Sequence, residues 1–181
     1  MDTMSSRVLE SLKYILSTRG YTFVSTTVQE NWIEVHATYI RDKQRHNMTC
    51  YIHKGHMPKC GKKDILAIDI SVNNRTHSMF IVGKISVQAT YFISRRHVYH
   101  EILYPDELLV PVLDHAYVPT YRIISGPELE EIKEDKTKFN KMIAKKDPIA
   151  RLLDFREGDL VETVTWTNNG RQVSYRYLCR E

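Results

Sequence analysis

A chain of 181 residues with 42% hydrophobic residues can fill one large or two small cores, and it reads as globular, not disordered. Three cysteines, no apolar stretch at the start and no run of eighteen apolar residues argue against a secreted disulfide framework or a membrane span, so a reducing, intracellular setting is expected and the Asn47-Met48-Thr49 and Asn74-Arg75-Thr76 triplets are not read as glycosylation sites. The net charge of +4 hides an asymmetry: residues 1–100 hold 14 Lys/Arg against 7 Asp/Glu, and residues 101–181 hold 12 against 15. The basic first half is what a surface near phosphate backbones needs, although a solvated face carries the same composition.

In chain order, Ser5 or Ser6 suits the cap of a helix running to about Thr18, with Val8, Leu12, Ile15 and Leu16 at spacings of three and four. Gly20 suits its end, because glycine tolerates the left-handed conformation there. Trp32 to Ile40 alternates, with Ile33, Val35, Ala37 and Tyr39 on one side, and Met48 to His53 alternates again. Ile65 to Val72 predicts a further strand, and Met79-Phe80-Ile81-Val82 predicts one buried on both faces. Residues 84–104 fit helix or strand equally.

Pro105, Pro111 and Pro119 are expected to break regular structure, which places a domain boundary near residue 100. Ser125-Gly126-Pro127-Glu128 reads as a capping box opening a helix to about Asp135, and Lys136 to Lys146 reads as a basic linker. Asp147 can cap a short helix with Pro148 in its first position. Leu160 to Trp166 and Val173 to Tyr177 alternate as half-buried strands, with Leu160, Val164 and Trp166 on one face. Thr167-Asn168-Asn169-Gly170 joins them, offering Asn and Gly where a tight hairpin needs positive φ.

The sequence Asp147-Pro148-Ile149-Ala150-Arg151, then Gly158, Val161, and Gly170-Arg171-x-x-Ser174-Tyr175-Arg176 resembles the C-terminal assembly domain of the fifth-largest subunit of eukaryotic RNA polymerase II, shared with polymerases I and III and matched by a small counterpart in the archaeal enzyme. Glu107-Leu108-Leu109, His115, Val118-Pro119 and Ser125-x-x-Glu128 extend the resemblance over about residues 107–177, and Arg19-Gly20-Tyr21 looks like the close of that family's first helix. Departures are Asp154 for a usual Gly, Glu157 for an Arg, Glu162 for a basic residue, a turn one residue short, and Asn140-Lys141-Met142-Ile143 without its Pro. They suggest a divergent member, of a kind that a large DNA virus could encode.

The resemblance implies an α+β chain with a jaw-like domain over 1–100 and an assembly domain over 101–181. It implies a noncatalytic subunit of a multisubunit DNA-directed RNA polymerase, docked on the largest subunit and near downstream duplex DNA, in the nucleus or, for a virus, in the virion or a cytoplasmic viral factory. No cofactor, metal or catalytic residue is expected in the chain. Pro148, Arg151, Gly170, Arg171, Ser174, Tyr175 and Arg176 are the expected partner-binding residues, since Arg presents planar donors to carboxylates and Tyr buries well; internal pairing of those arginines is the competing account. Arg41, Lys43, Arg45, Lys54, Lys59, Lys62 and Lys63, with Tyr39 and Tyr51 among them, are the expected DNA-proximal group.

Other chemistry is weakly signalled. Cys50, His53, His56 and Cys60 are zinc-type ligands, but all four fall within eleven residues, and Cys50 and His53 would point to opposite faces of a strand. A nuclease site needs a strand Asp and a nearby Glu/Asp-x-Lys; Asp64 and Asp69 offer the first, Lys84 lacks the companion carboxylate, and Glu131-Ile132-Lys133 falls on a charged helix. His115 reads as structural. A free-standing DNA-binding or nuclease-like protein, or an adaptor for transcription regulators, are the alternative functions.

Overall fold

The computed structural model describes residues 3–29, 31–41, 44–54, 59–68, 77–95, 100–132, 139–143 and 146–179. The fold is α+β, in two compact units, 1–110 and 111–181.

The first unit opens with helix α1 (Thr3–Thr18), which starts before Ser5 and Ser6, so neither caps it. Val8, Leu12, Ile15 and Leu16 are buried as their spacing requires. The helix closes in a Schellman motif: Tyr21 N–H donates to Leu16 O (2.8 Å) and Gly20 N–H to Ser17 O (2.9 Å), with Gly20 at φ 82°.

Strands β1 (Thr22–Val28), β2 (Trp32–Arg41), β3 (Gln44–His53), β4 (His77–Ile81) and β5 (His100–Leu103) form one sheet in that order, antiparallel from β1 to β3 and parallel from β3 to β5. Parallel neighbours need crossovers, and these carry α2 (Lys62–Ala67) and α3 (Val87–Ser94). One sheet face presents Ile33, Val35, Ala37, Met48, Cys50, Ile52, Met79, Ile81 and Leu103, all buried. The other packs Trp32, Tyr51, Phe80 and Ile102 with Ile65, Ala89, Phe92 and Ile93 of the two crossover helices.

Three expectations change in this unit. Ile65 to Ala67 is helix, not strand: Gly61 N–H donates to Asp64 Oδ2 (2.7 Å) at the start, and Ile65 and Ile68, three apart, reach one core; Asp69 to Val72 lie outside the described residues. β1 was not foreseen, because it lies at a sheet edge, almost fully exposed, and has no alternation to read. Pro105 opens α4 (Pro105–Leu109) instead of breaking structure, since Glu107 Oε2 accepts from Tyr104 N–H (2.8 Å). β5 and α4, which packs on α1, therefore lie in the first unit, beyond the boundary expected near residue 100.

In the second unit, β6 (Thr120–Ile124), β8 (Leu160–Thr167), β9 (Gly170–Cys179) and β7 (Asn140–Ile143) form a sheet in that order; β9 pairs antiparallel with β8 and parallel with β7. β7 lies inside what reads as a basic linker, so that expectation is corrected: Met142 pairs opposite Leu178, and both are buried. Helix α5 (Pro127–Ile132) follows β6, and the rest of its expected length, 133–135, lies outside the described residues. Helix α6 (Pro148–Leu152) adds Ile149 and Ala150 to a core with Phe155, Met142, Val161 and Leu178.

Candidate functional site

The Asp147 segment folds as its residue types dictate. Its carboxylate Oδ1 accepts from Ile149 N–H (2.9 Å) and Ala150 N–H (3.1 Å), and Pro148, with no N–H to leave unpaired, takes the first helical position. The exit is again a Schellman motif, with Phe155 N–H on Ala150 O (2.9 Å) and Asp154 N–H on Arg151 O (3.4 Å). Asp154 therefore sits at φ 55°, a left-handed position that favours Gly; Asp tolerates it, and its Oδ2 accepts from Arg156 Nη2 (2.9 Å).

The hairpin that follows is a two-residue loop, with Thr167 paired to Gly170. Neither Asn168 nor Asn169 takes positive φ, contrary to expectation; Gly170 alone does, at 101°, while Thr167 Oγ1 accepts from Asn169 N–H (3.2 Å) and donates to Gly170 O (3.2 Å). Strand alternation then divides the expected partner-binding residues between the two sheet faces. Arg171 and Tyr175 share one face with Trp166, Val164 and Val173, whereas Ser174 and Arg176 share the other with Val161 and Leu178.

The expected polarity of β8 is corrected at the same time. Val161 is in the core, and Trp166, on the supposedly buried face, is 74% exposed. Leu160 is buried at the lower end of that face beside Ile124, opposite it in β6. The upper end thus presents Trp166 and Val173, with Tyr175 half-buried against Phe139 (ring centroids 5.9 Å apart). On the core face, Pro148 is exposed and Arg151 and Arg176 are half-buried. Arg176 acts on Tyr121, whose hydroxyl is pushed up by burial and partly restrained by that cation.

The outer face also carries an ionic network that no local motif announces. Arg122 binds Glu128 with two hydrogen bonds of 2.8 Å and donates through Nε to Glu162 Oε2 (2.8 Å); Arg171 Nη2 stands 3.8 Å from Glu162 Oε1. Glu128 is thereby held below the usual carboxylate range by Arg122, and Arg122 is held above the usual guanidinium range, first by Glu128 and then by Glu162. Glu128 thus meets Arg122 with both carboxylate oxygens. Glu162, a departure from the family pattern, here meets two arginines from neighbouring strands. His115 Nδ1 accepts from Tyr117 N–H (3.3 Å), and Val118 N–H closes the same turn on His115 O (2.8 Å).

In the first unit the expected DNA-proximal residues separate. Arg41 and Arg45 lie at the β2–β3 hairpin tip, and Lys43 lies outside the described residues. Lys54, Lys59, Lys62 and Lys63 lie past the far end of β3, which at about 3.3 Å per residue is roughly 30 Å away. Lys54 Nζ donates to Gln29 O.

The zinc-type residues separate as well. Cys50 lies on one face of the sheet, Cys60 in the core of the other, His53 packs on Trp32 (4.7 Å), and His56 is outside the described residues. Burial pushes both thiols up, Cys60 to about 11, away from the thiolate a metal needs. Asp64, of the nuclease-type set, belongs to a helix start, while Asp69 and Lys133 are not among the described residues.

Sequence reading also missed the ionic centre of this unit. Arg19 Nη1 and Nη2 bind Glu101 Oε1 and Oε2 at 3.0 and 2.8 Å, and His77 Nε2 lies 2.8 Å from Oε1. Burial would raise the Glu101 carboxyl, yet His77 and Arg19 outweigh it and hold the group low. The signal in the sequence was Arg19 beside Gly20; its acceptor, 82 residues away, carried none.

Residues 110–178 match the family described as RNA polymerase Rpb5, C-terminal domain. No curated protein matches the chain. The matched span includes the Asp147 cap, the left-handed exit of α6 and the β8–β9 hairpin, the parts on which the resemblance rested. Over that span the second unit is similar to the RNA polymerase Rpb5 C-terminal domain family.

Proposed function

We propose that this chain is a noncatalytic subunit of an intracellular, multisubunit DNA-directed RNA polymerase. The second unit docks on the largest subunit, and the first unit, with its basic excess, lies near downstream duplex DNA. The match of residues 110–178 to the Rpb5 C-terminal domain is the observation that supports this reading. Polymerisation chemistry then belongs to other subunits. The chain serves in the nucleus or, for a virus, in a viral factory or virion.

The outer face of the β8–β9 hairpin is the docking platform favoured by its chemistry. It combines an exposed Trp166 and Val173, a half-buried Tyr175, and an Arg171 that stands at long range from Glu162. Aromatic and Arg side chains are the usual anchors of an interface. Gly170 closes the turn with its positive φ, and Pro148, Arg151, Ser174 and Arg176 supply the contacts from the opposite face. The test is affinity purification of tagged full-length protein from its native source. Wild type should bring down both large polymerase subunits, and Arg171→Glu with Tyr175→Ala should lose them while its far-ultraviolet circular dichroism is kept. Recovery of the complex by the double variant sinks this platform; wild type recovered alone under gentle salt sinks the subunit reading.

A further inference from the structure

Between α2 and α3 in the first unit lies an open cavity of about 560 Å³, lined by Lys62, Gln88, Tyr91, Phe92 and Arg95. Two cation and ring pairs build its walls: Lys62 Nζ is 5.4 Å from the Phe92 centroid, and the Arg95 guanidinium carbon is 4.3 Å from the Tyr91 centroid. Lys59 and Lys63, close to Lys62 in the chain, are both exposed. Asp64 of the same helix turns its Oδ2 to Gly61 N–H instead of to these cations, and among the described residues no carboxylate pairs with Lys62 or Arg95.

Like charges on two walls of one cavity repel unless an anion enters between them. The Tyr91 ring, 55% exposed and with the Arg95 guanidinium carbon over it, is also a flat surface of the kind on which a nucleobase rests. A purely apolar ligand would strand the cations, a free phosphate would leave the rings unused, and a duplex keeps its base faces stacked inside. Gln88 supplies an amide that can both donate to and accept from a base edge.

We propose that this cavity is a subsite for an unpaired nucleotide of a single strand, its phosphate between Lys62 and Arg95 and its base on Tyr91. The proposal rests on the reading that the first unit faces nucleic acid, and it names the single strand as the form held at this point.

The experiment is fluorescence anisotropy on the full-length chain, with a labelled oligothymidylate of about 12 nucleotides, the length scale of such sites, the same strand paired with its complement, and polyglutamate as competitor. Tyr91→Ala should weaken single-strand binding about 5- to 150-fold and leave duplex binding unchanged. Tyr91→Phe should bind as wild type, and Lys62→Glu with Arg95→Glu should weaken both forms. Because Tyr91 is more than half exposed, its loss removes little packing, and circular dichroism checks the fold. An unchanged single-strand affinity in Tyr91→Ala overturns the proposal, as does displacement of the oligothymidylate by polyglutamate at matched charge, which would make the cavity an acidic-peptide site. Duplex binding without single-strand binding also overturns it while leaving the nucleic-acid-facing reading intact. Failure of both forms removes that reading and the subsite together.

Discussion

Each unit closes a helix with a Schellman motif and ties its sheet with an Arg–Glu contact, yet burial gives the two contacts different weight. Arg19 and Glu101 are 3% and 7% exposed, at the end of α1 and on β5, so the pair fastens a helix to the sheet it covers. Arg122 and Glu128 are 53% and 41% exposed, and water screens what they gain from each other. A buried pair is costly to break because the surviving charge keeps no solvent; an exposed pair leaves both partners hydrated. The caps differ in the same way. Gly20 sits where a Cβ would stand 3.4 Å from the Tyr39 ring, whereas Asp154 carries its own side chain through the same backbone position.

Arg19→Ala is the hardest blow to this comparison and should destabilise the first unit by about 3–5 kcal/mol. Urea unfolding followed by tryptophan fluorescence reads it, since Trp32 is buried in that unit and Trp166 is already exposed. The acid limb sharpens it. Glu101 is held below its ordinary value of 4.5, so its contribution is present above that value and is lost as pH falls through the lower folded one. Glu101→Gln should therefore be less stable than wild type at pH 7, and the difference should shrink as melts are carried to acid pH well below the ordinary value of 4.5. A constant difference across that range would remove the ionised carboxylate from the account.

Gly20→Ala comes next, at about 1–2 kcal/mol, the cost of a left-handed residue with a Cβ. The calorimetric transition of the first unit reads it, and an unchanged transition would mean that the cap relaxes. Arg122→Ala should have the smallest effect: a small drop in the unfolding midpoint of the second unit that vanishes in about 0.5 M salt. A large, salt-insensitive loss would show that the outer network is as structural as the buried one.

What short-range chemistry controls was legible along the chain. The 3.6-residue spacing of Val8, Leu12, Ile15 and Leu16 specified α1, the alternation of Trp32 to Ile40 specified β2 and the side it buries, and Asp147-Pro148 specified the start of α6. The same Asp147-Pro148 start, with Gly170 to Arg176, carried the family resemblance. Distant partners governed the rest. Ile65 joined a helix because Ile68 shares its core, Met142 joined a strand because Leu178 stands opposite, and the core side of β8 was set by α6 and Phe155. Packing also divided Arg171 and Tyr175 from Ser174 and Arg176, and brought Glu101 to Arg19 and Tyr91 near Lys62. No local pattern encodes such meetings, because a side chain's partner across a sheet or between two crossover helices is fixed by topology and register, not by its neighbours in the chain.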